Sequence, residues 1–418
     1  MTDHLAAGRR RKPSVLILSQ YYVPESGAPQ NRWHALATCL AGLGHNVQVL
    51  TAMPNYPTGQ IFEGYRGKVF CTEWIGPIKV CRTWLYATPS RSLPRRMLNY
   101  LSFGAMALLS GFFHVRNVDI LIYESPPLFL GPFAKALAVL KQAKCVMNVS
   151  DLWPESAVAL GLVSRDSLAT KLAERLEQWL YRHSHIVTGQ TRGIVDDISQ
   201  RVPEVGVHLF PNGVDLNMFR PAEPDIALAE ALGVTGKFVV GYGGIIGYAQ
   251  ALHQVLEAAA LLKDEPDIAF VLFGDGPLKS ELMARSHTLG LPNLKFLPRQ
   301  DRAMMPRHIA LWDAGLVPLA DRPLLSGARP SKMFELMGQA KPIVFCGRGE
   351  GAGIVRDNDC GVVVPPERPQ ALAEAIRALH ADPTQLERLG RNGRRAAEQQ
   401  FDRARIAEDV SRLFQSLC

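Results

Sequence analysis

Short apolar runs alternate with segments of helical period along the whole 418-residue chain, and few folds accommodate that rhythm. Val15–Ser19, Val47–Thr51, Ile120–Tyr123, Cys145–Val149, Ile186–Thr188 and Val207–Phe210 read as strands of one sheet. Phe238–Tyr242, Ala269–Phe273, Leu294–Leu297, Ala314–Pro318, Pro342–Phe345 and Gly361–Val364 read as strands of a second. Periodic segments such as Arg32–Leu43, Ala169–Arg182, Gln250–Leu262 and Leu278–Leu289 lie between them. Strands alternating with helices of this length need right-handed crossovers, and so a parallel sheet covered on both faces. The chain is longer than a single hydrophobic core sustains. The expected architecture is therefore α/β: two doubly wound, Rossmann-like domains facing a central cleft, with a ligand at the carboxyl ends of the strands. Pro211–Pro224 has no period and reads as the hinge. No internal repeat or low-complexity tract is visible.

Hydrophobic residues make up 47% and charged residues 20% of the chain, which fits a globular protein and excludes a disordered one. Cys39, Cys71, Cys81, Cys145, Cys346, Cys360 and Cys418 are scattered with no Cys-x-x-Cys spacing, which argues for a reducing compartment and against structural zinc. The basic start is followed only by the short apolar run Val15–Leu18, so the expected location is cytoplasmic. Net charge is +7, concentrated at Arg9, Arg10, Arg11 and Lys12 and at Arg91, Arg95 and Arg96, so an anionic partner is expected. No recognition motif or interleaved aromatic platform accompanies these clusters, so nucleic acid is not that partner.

Met97–Val115 is nearly uncharged, close to bilayer-spanning length, and directly follows Arg91, Arg95 and Arg96. It reads as a helix that spans the membrane, lies in its interface, or is buried in the first domain. Strands of one sheet fall on both sides of it, which disfavours spanning. The preferred reading is a buried helix with one lipid-facing edge and a basic collar against anionic lipid.

Chemistry concentrates in Ser326-Gly-Ala-Arg329-Pro-Ser-Lys332-Met-Phe-Glu335, which precedes a buried strand. Free backbone N–H groups at a helix start, together with Arg329 and Lys332, suit a diphosphate. Glu335, one turn on, can accept two hydrogen bonds from a ribose diol. An ordinary capped helix with solvated cations is the plainer reading. Other turns are weaker signals. Gly27, after the first strand, and Gly241-Tyr-Gly243-Gly244-Ile-Ile-Gly247 let the backbone approach a ligand closely, but neither has the dinucleotide spacing, and no P-loop occurs. Asp151 and Glu155, in Asn148-Val-Ser-Asp151-Leu-Trp-Pro154-Glu155, can orient sugar hydroxyls or receive a proton. Asp151 can equally cap the next helix, with Pro154 in its first turn.

Together these segments resemble the retaining nucleotide-sugar glycosyltransferases of family 4, which have the GT-B fold. The match runs in order through the Gly27 loop, Gly44-His45, Asn212-Gly-Val-Asp215 with Phe219, Gly274-Asp-Gly-Pro277, and Pro330-Ser-Lys332 with Glu335. Ser125-Pro-Pro127, Asp151-Leu-Trp-Pro-Glu155 and Gly244-x-x-Gly247-x-x-Gln250 resemble the branch that builds bacterial surface polysaccharides of the colanic-acid and O-antigen type. There are departures. The family's Glu-x7-Glu pattern meets Gly327 at its first carboxylate, a frequent His is Ser150, and the usual Arg and Lys after the second glycine loop are missing, with Gln250 and Ala251 near the lysine's place.

The resemblance implies an acceptor-side domain at 1–213, to which a final helix at 398–418 returns, and a nucleotide-sugar domain at 214–397. It implies transfer with retention and no required metal or cofactor. The donor would be a nucleotide-diphosphate sugar, with UDP favoured, and the acceptor a polyprenyl-diphosphate-linked saccharide at the inner face of the plasma membrane, where the protein is peripheral. Asp151, Lys332 and Glu335 are the expected catalytic residues. Gly27, Gly244, Gly247, Gln250, Gly274 and Arg329 are expected to join Lys332 and Glu335 around the donor. Arg91, Arg95 and Arg96 face the acceptor and membrane. A sugar-nucleotide epimerase and a non-catalytic nucleotide-sugar binder are the rival readings, the second favoured by Gly327 and Ser150. A dehydrogenase rests on the Gly241 turn alone.

Overall fold

The computed structural model describes residues 11–25, 27–90, 92–159 and 163–418. Arg9, Arg10 and Arg91, all expected in basic clusters, lie outside them. The chain divides into two compact units, one running to Pro211 and including Ile406–Cys418, the other Asn212–Arg405. The divisions thus fall at 211/212 and, within the last helix, at 405/406, where the sequence reading placed them at 213 and 398.

The first unit holds an eight-stranded sheet in the order β3-β4-β2-β1-β5-β6-β7-β8. The strands are β1 Val15–Leu18, β2 Val47–Ala52, β3 Phe70–Ile75, β4 Ile78–Thr83, β5 Ile120–Ser125, β6 Lys144–Val149, β7 Ile186–Gly189 and β8 Val207–Leu209. All neighbours are parallel except β3 and β4. That hairpin is absent from the sequence reading. Ile75 pairs with Ile78 across a turn at Gly76, whose φ of 56° suits the first position of a two-residue hairpin loop. The sheet buries both faces by strict alternation. Leu16 and Leu18 join Phe103, Leu137 and Leu180 on one side, while Val15 and Ile17 join Trp33, Val410 and Phe414 on the other. The helix Arg403–Ser416 is fixed there by His45, whose ring bridges Pro13 O (2.8 Å) and Ser411 Oγ (2.7 Å).

The second unit has an all-parallel six-stranded sheet in the order β11-β10-β9-β12-β13-β14. Its strands are β9 Phe238–Ile245, β10 Ile268–Asp275, β11 Leu294–Leu297, β12 Ala314–Pro318, β13 Ile343–Cys346 and β14 Gly361–Val364. β9 and β10 run further than their apolar cores predict, because glycines extend both. The chain reverses its direction of travel across the sheet between β9 and β12, as it does between β1 and β5 in the first unit. Ligands of open α/β sheets bind outside the carboxyl ends of the strands at such switch points.

Candidate active site

In the second unit, β9 and β10 end side by side with Gly244 opposite Gly274. The approach is so close that a Cβ on Gly274 would stand 1.9 Å from Gly244 O, and Gly274 has φ of 150°. A Cβ on Gly244 would lie 2.8 Å from Lys332 Nζ. The glycines therefore serve two ends: they allow the strand ends to meet, and they leave room for a cation beside the turn.

Lys332 comes from the helix Ser331–Gly338, which buries Met333, Phe334, Leu336 and Met337 and has no side chain capping its first turn. Its ammonium sits 3.8 Å from the centroid of the Tyr242 ring, whose hydroxyl donates to Ile245 O at 2.6 Å. Desolvation pushes the Lys332 ammonium down to about 7, opposed by the charge of Glu335. Glu335, three residues on and so on the same face, is 17% exposed and lies 3.4 Å from Arg302 Nη2. Burial raises its carboxyl above the usual range, while Arg302, Arg403 and Lys332 pull it back. The guanidinium of Arg302 also lies 5.6 Å from the Phe219 ring. The result is a carboxylate among cations, beside a glycine turn, at the switch point of the sheet.

Gly247 and Gln250 follow directly, Gln250 N–H donating to Gly247 O at 3.2 Å. Arg329 is engaged elsewhere. Its side chain is 5% exposed and forms an ion pair with Glu350, in the first turn of the helix Glu350–Asp357. A guanidinium this buried needs a carboxylate beside it. Gly327, at the place of the missing carboxylate, has open space around it.

The first unit carries a second polar cluster at its own switch point. Arg32 donates to Ser150 Oγ (3.2 Å), Asn148 Oδ1 (3.2 Å) and Phe210 O (2.8 Å), and packs over the Phe210 ring at 4.1 Å. Ser150 in turn donates to Glu124 Oε1 at 3.0 Å, and Ser19 to Glu124 Oε2 at 3.3 Å. Burial raises the Glu124 carboxyl, and the Arg32 charge opposes the shift. This network fixes the end of β6, from which Asp151 projects exposed. Desolvation raises the Asp151 carboxyl, and hydrogen bonding with Ser156 and the Leu152 amide lowers it, contacts of the capping kind. Gly27 is extended at φ −179° and precedes the helix Ala28–Gly42. Its backbone is open to any residue, and a Cβ there would meet only the terminal amide of Gln30, 2.3 Å from its Oε1.

The helix expected over Met97–Val115 is Leu93–His114. Asn99, Phe103, Ala107 and Ser110 are buried, whereas Leu98, Leu101, Leu109, Phe112 and Phe113 are 41–60% exposed. No described helix is long and apolar enough to cross a membrane. Arg95 is exposed in its first turn, and Arg96 donates to Tyr100 Oη at 3.1 Å.

Sequence reasoning missed Tyr242, Arg302 and Arg403 around the Lys332–Glu335 pair, and Arg32 and Glu124 beneath Asp151. Glu124 did leave a signal, as a charge closing the apolar run Ile120–Tyr123. Arg302 left none.

The sequence profile described as "Glycosyl transferases group 1" matches residues 228–396, and "Glycosyl transferase 4-like domain" matches residues 27–213. A protein named as a colanic acid biosynthesis glycosyl transferase, WcaI of Escherichia coli (strain K12), is 29% identical over 377 residues, covering 87% of this chain and 91% of its own. Among solved structures, the sucrose-phosphate synthase of Thermosynechococcus elongatus superposes with a TM-score of 0.73 at 17% identity, covering 97% of this chain and 99% of that one. Alr3699/HepE of Anabaena, solved in complex with UDP-glucose, gives 0.70 at 18% identity over 97% and 100%. The two profiles fall on the two units, and neither describes an epimerase or a non-catalytic binder. With its paired parallel sheets, this chain belongs to the group 1, family 4-like glycosyltransferases of the GT-B fold.

Proposed function

We propose that this enzyme transfers a hexosyl or N-acetylhexosaminyl group from a UDP-sugar to a polyprenyl-diphosphate-linked saccharide, as a step in building a cell-surface polysaccharide. One observation carries the reading: Lys332 and Glu335 stand on one helix face beside the Gly244 turn, at the switch point of the second sheet. The name of the colanic acid relative supports the polysaccharide context, and the UDP-glucose complex of the Anabaena protein supports a uridine donor.

In this reading Glu335 accepts hydrogen bonds from the ribose diol, and Lys332 with the amides near Gly244 faces the diphosphate. The bond from the anomeric carbon to the β-phosphate oxygen breaks as the acceptor oxygen bonds on the same face, so configuration is retained. The acceptor proton passes to the departing phosphate oxygen. The transition state is oxocarbenium-like, and the protein's main task is to neutralise charge growing on the leaving diphosphate. Lys332 and the helix amides do this without requiring a metal ion. Asp151 orients the transferred sugar or the acceptor hydroxyl. The apolar stripe Leu98–Phe113 with Arg95 and Arg96 supports peripheral attachment to the inner face of the plasma membrane, apolar side chains entering the headgroup boundary and arginines meeting anionic lipid.

A thermal-shift panel of UDP, GDP and ADP tests the donor class, since a ligand bound only by the native state raises its stability. UDP should stabilise most, and no stabilisation by any of the three would remove the reading. Flotation with anionic vesicles tests attachment. Binding should be lost on changing Leu98, Leu101 and Leu109 to Ser, and wild-type protein that fails to float would exclude membrane attachment.

A further inference from the structure

A cavity of about 430 Å³ opens in the first unit, lined among others by Gln60, Ile61, Arg66, Trp84 and Tyr86. One wall follows β4 directly and the other comes from the connection between β2 and β3, so it lies off the carboxyl ends of β2 and β4, where open α/β folds take their ligands. The volume falls within the range of small-molecule pockets, roughly 300–1,000 Å³.

The walls are held from behind by buried polar groups. Glu25, 3% exposed, accepts from the Asn55 and Tyr56 amides at 2.7 and 2.8 Å, which anchors the turn leading to Gly59 and Gln60. Burial raises the Glu25 carboxyl, and these amides oppose the shift. The opposite wall is pinned at Tyr86, whose N–H donates to Ser102 Oγ (2.9 Å) and whose carbonyl accepts from Asn99 Nδ2 (2.8 Å). Asn99 also accepts from Gln20, just past β1, at 2.7 Å. Asn99 and Ser102 lie on the helix whose outer face carries Leu98 and Leu101. The cavity is thus preformed and fastened to the apolar helix.

Its chemistry is selective. Trp84, 39% exposed, and Tyr86 offer aromatic faces, Gln60 an amide and Arg66 a guanidinium, and the lining contains no carboxylate. A pyranose ring matches this set: its C–H face stacks on an indole, and its hydroxyls pair with the amide and guanidinium. We propose that this cavity binds a sugar ring of the acceptor, while the acceptor's lipid lies along the neighbouring Leu98–Phe113 stripe. The proposal rests on the transferase reading and supplies the acceptor-recognition residues that reading lacks.

Saturation-transfer NMR on the full chain tests it, with methyl glycosides of glucose, galactose, mannose, rhamnose, fucose, N-acetylglucosamine and glucuronic acid as probes. At least one should bind. Trp84→Ala should weaken it about tenfold or more, and Trp84→Phe should restore most of the affinity. Trp74→Ala, an exposed indole on the edge strand β3, should change nothing. Silence from every glycoside, or binding that survives Trp84→Ala, overturns the proposal. UDP thermal shifts on the same samples separate the two readings: lost UDP stabilisation with intact glycoside binding would remove the donor assignment and leave the carbohydrate cavity standing.

Discussion

Titrating UDP-glucose into the protein at a series of pH values isolates Lys332. Its diphosphate is a diester and holds no proton near neutrality, unlike the terminal phosphate of UDP, whose second pKa is about 6. In the empty site desolvation holds the Lys332 ammonium at about 7, with Glu335 as its nearest charged opponent and Tyr242 beneath it. An incoming diphosphate favours the charged form and raises that value. At about pH 6 most empty sites already carry the charge, and at about pH 8.5 only ~3% do. Binding at the higher pH must therefore take up a proton. Affinity should fall ~30-fold between these limits, equivalent to about 2 kcal/mol. Calorimetry in buffers of different ionisation enthalpy should count about one proton taken up at the high end and almost none at the low end. Lys332→Arg, charged throughout, should bind with a flat profile, and Lys332→Met should bind weakly with an equally flat one. Wild-type affinity that is constant across the range, or a slope that persists in Lys332→Met, would refute the placement of Lys332 against the diphosphate.

Glu335→Gln leaves one acceptor oxygen where the ribose diol needs two and removes the counter-charge of Arg302, so UDP affinity should fall about tenfold or more by calorimetry; unchanged affinity would refute the ribose role. Gly274→Ala forces a Cβ to within 1.9 Å of Gly244 O, so the second unit's thermal transition should fall by about 6–12 °C, corresponding to roughly 3 kcal/mol, and an unshifted transition would contradict the tight strand contact. Gly327→Glu places a carboxylate where an added Cβ meets nothing within 4 Å, so stability should change by no more than about 0.5 kcal/mol by denaturant titration, a larger loss contradicting the open space there.

The core strands were legible because parallel strands bury both faces and so read as unbroken apolar runs, as β1 does. The hairpin β3–β4 was hidden by its own charges. Arg82, fully buried, pairs with the half-buried Glu73 across the hairpin at 2.6 Å, so charges that interrupt the apolar pattern are matched within the sheet. The same limit applies at the site. Lys332 and Glu335 are neighbours on one helix and announce themselves in sequence. Arg302 and Arg403, the cations that offset the burial of Glu335, reach it only through tertiary packing. Arg329 shows the converse: the sequence displays a cation but not Glu350, the carboxylate that occupies it.

The last helix has a consequence for how the molecule is made. Val410 and Phe414 complete the face of the first sheet that includes Val15 and Trp33, yet they leave the ribosome only after the entire second unit. At 5–20 residues per second the early-made half waits roughly 10–40 s with one flank uncovered. The later-made half carries its whole core within Asn212–Arg405 and can close without delay. The amino-terminal half therefore completes its packing only after the second unit has been made.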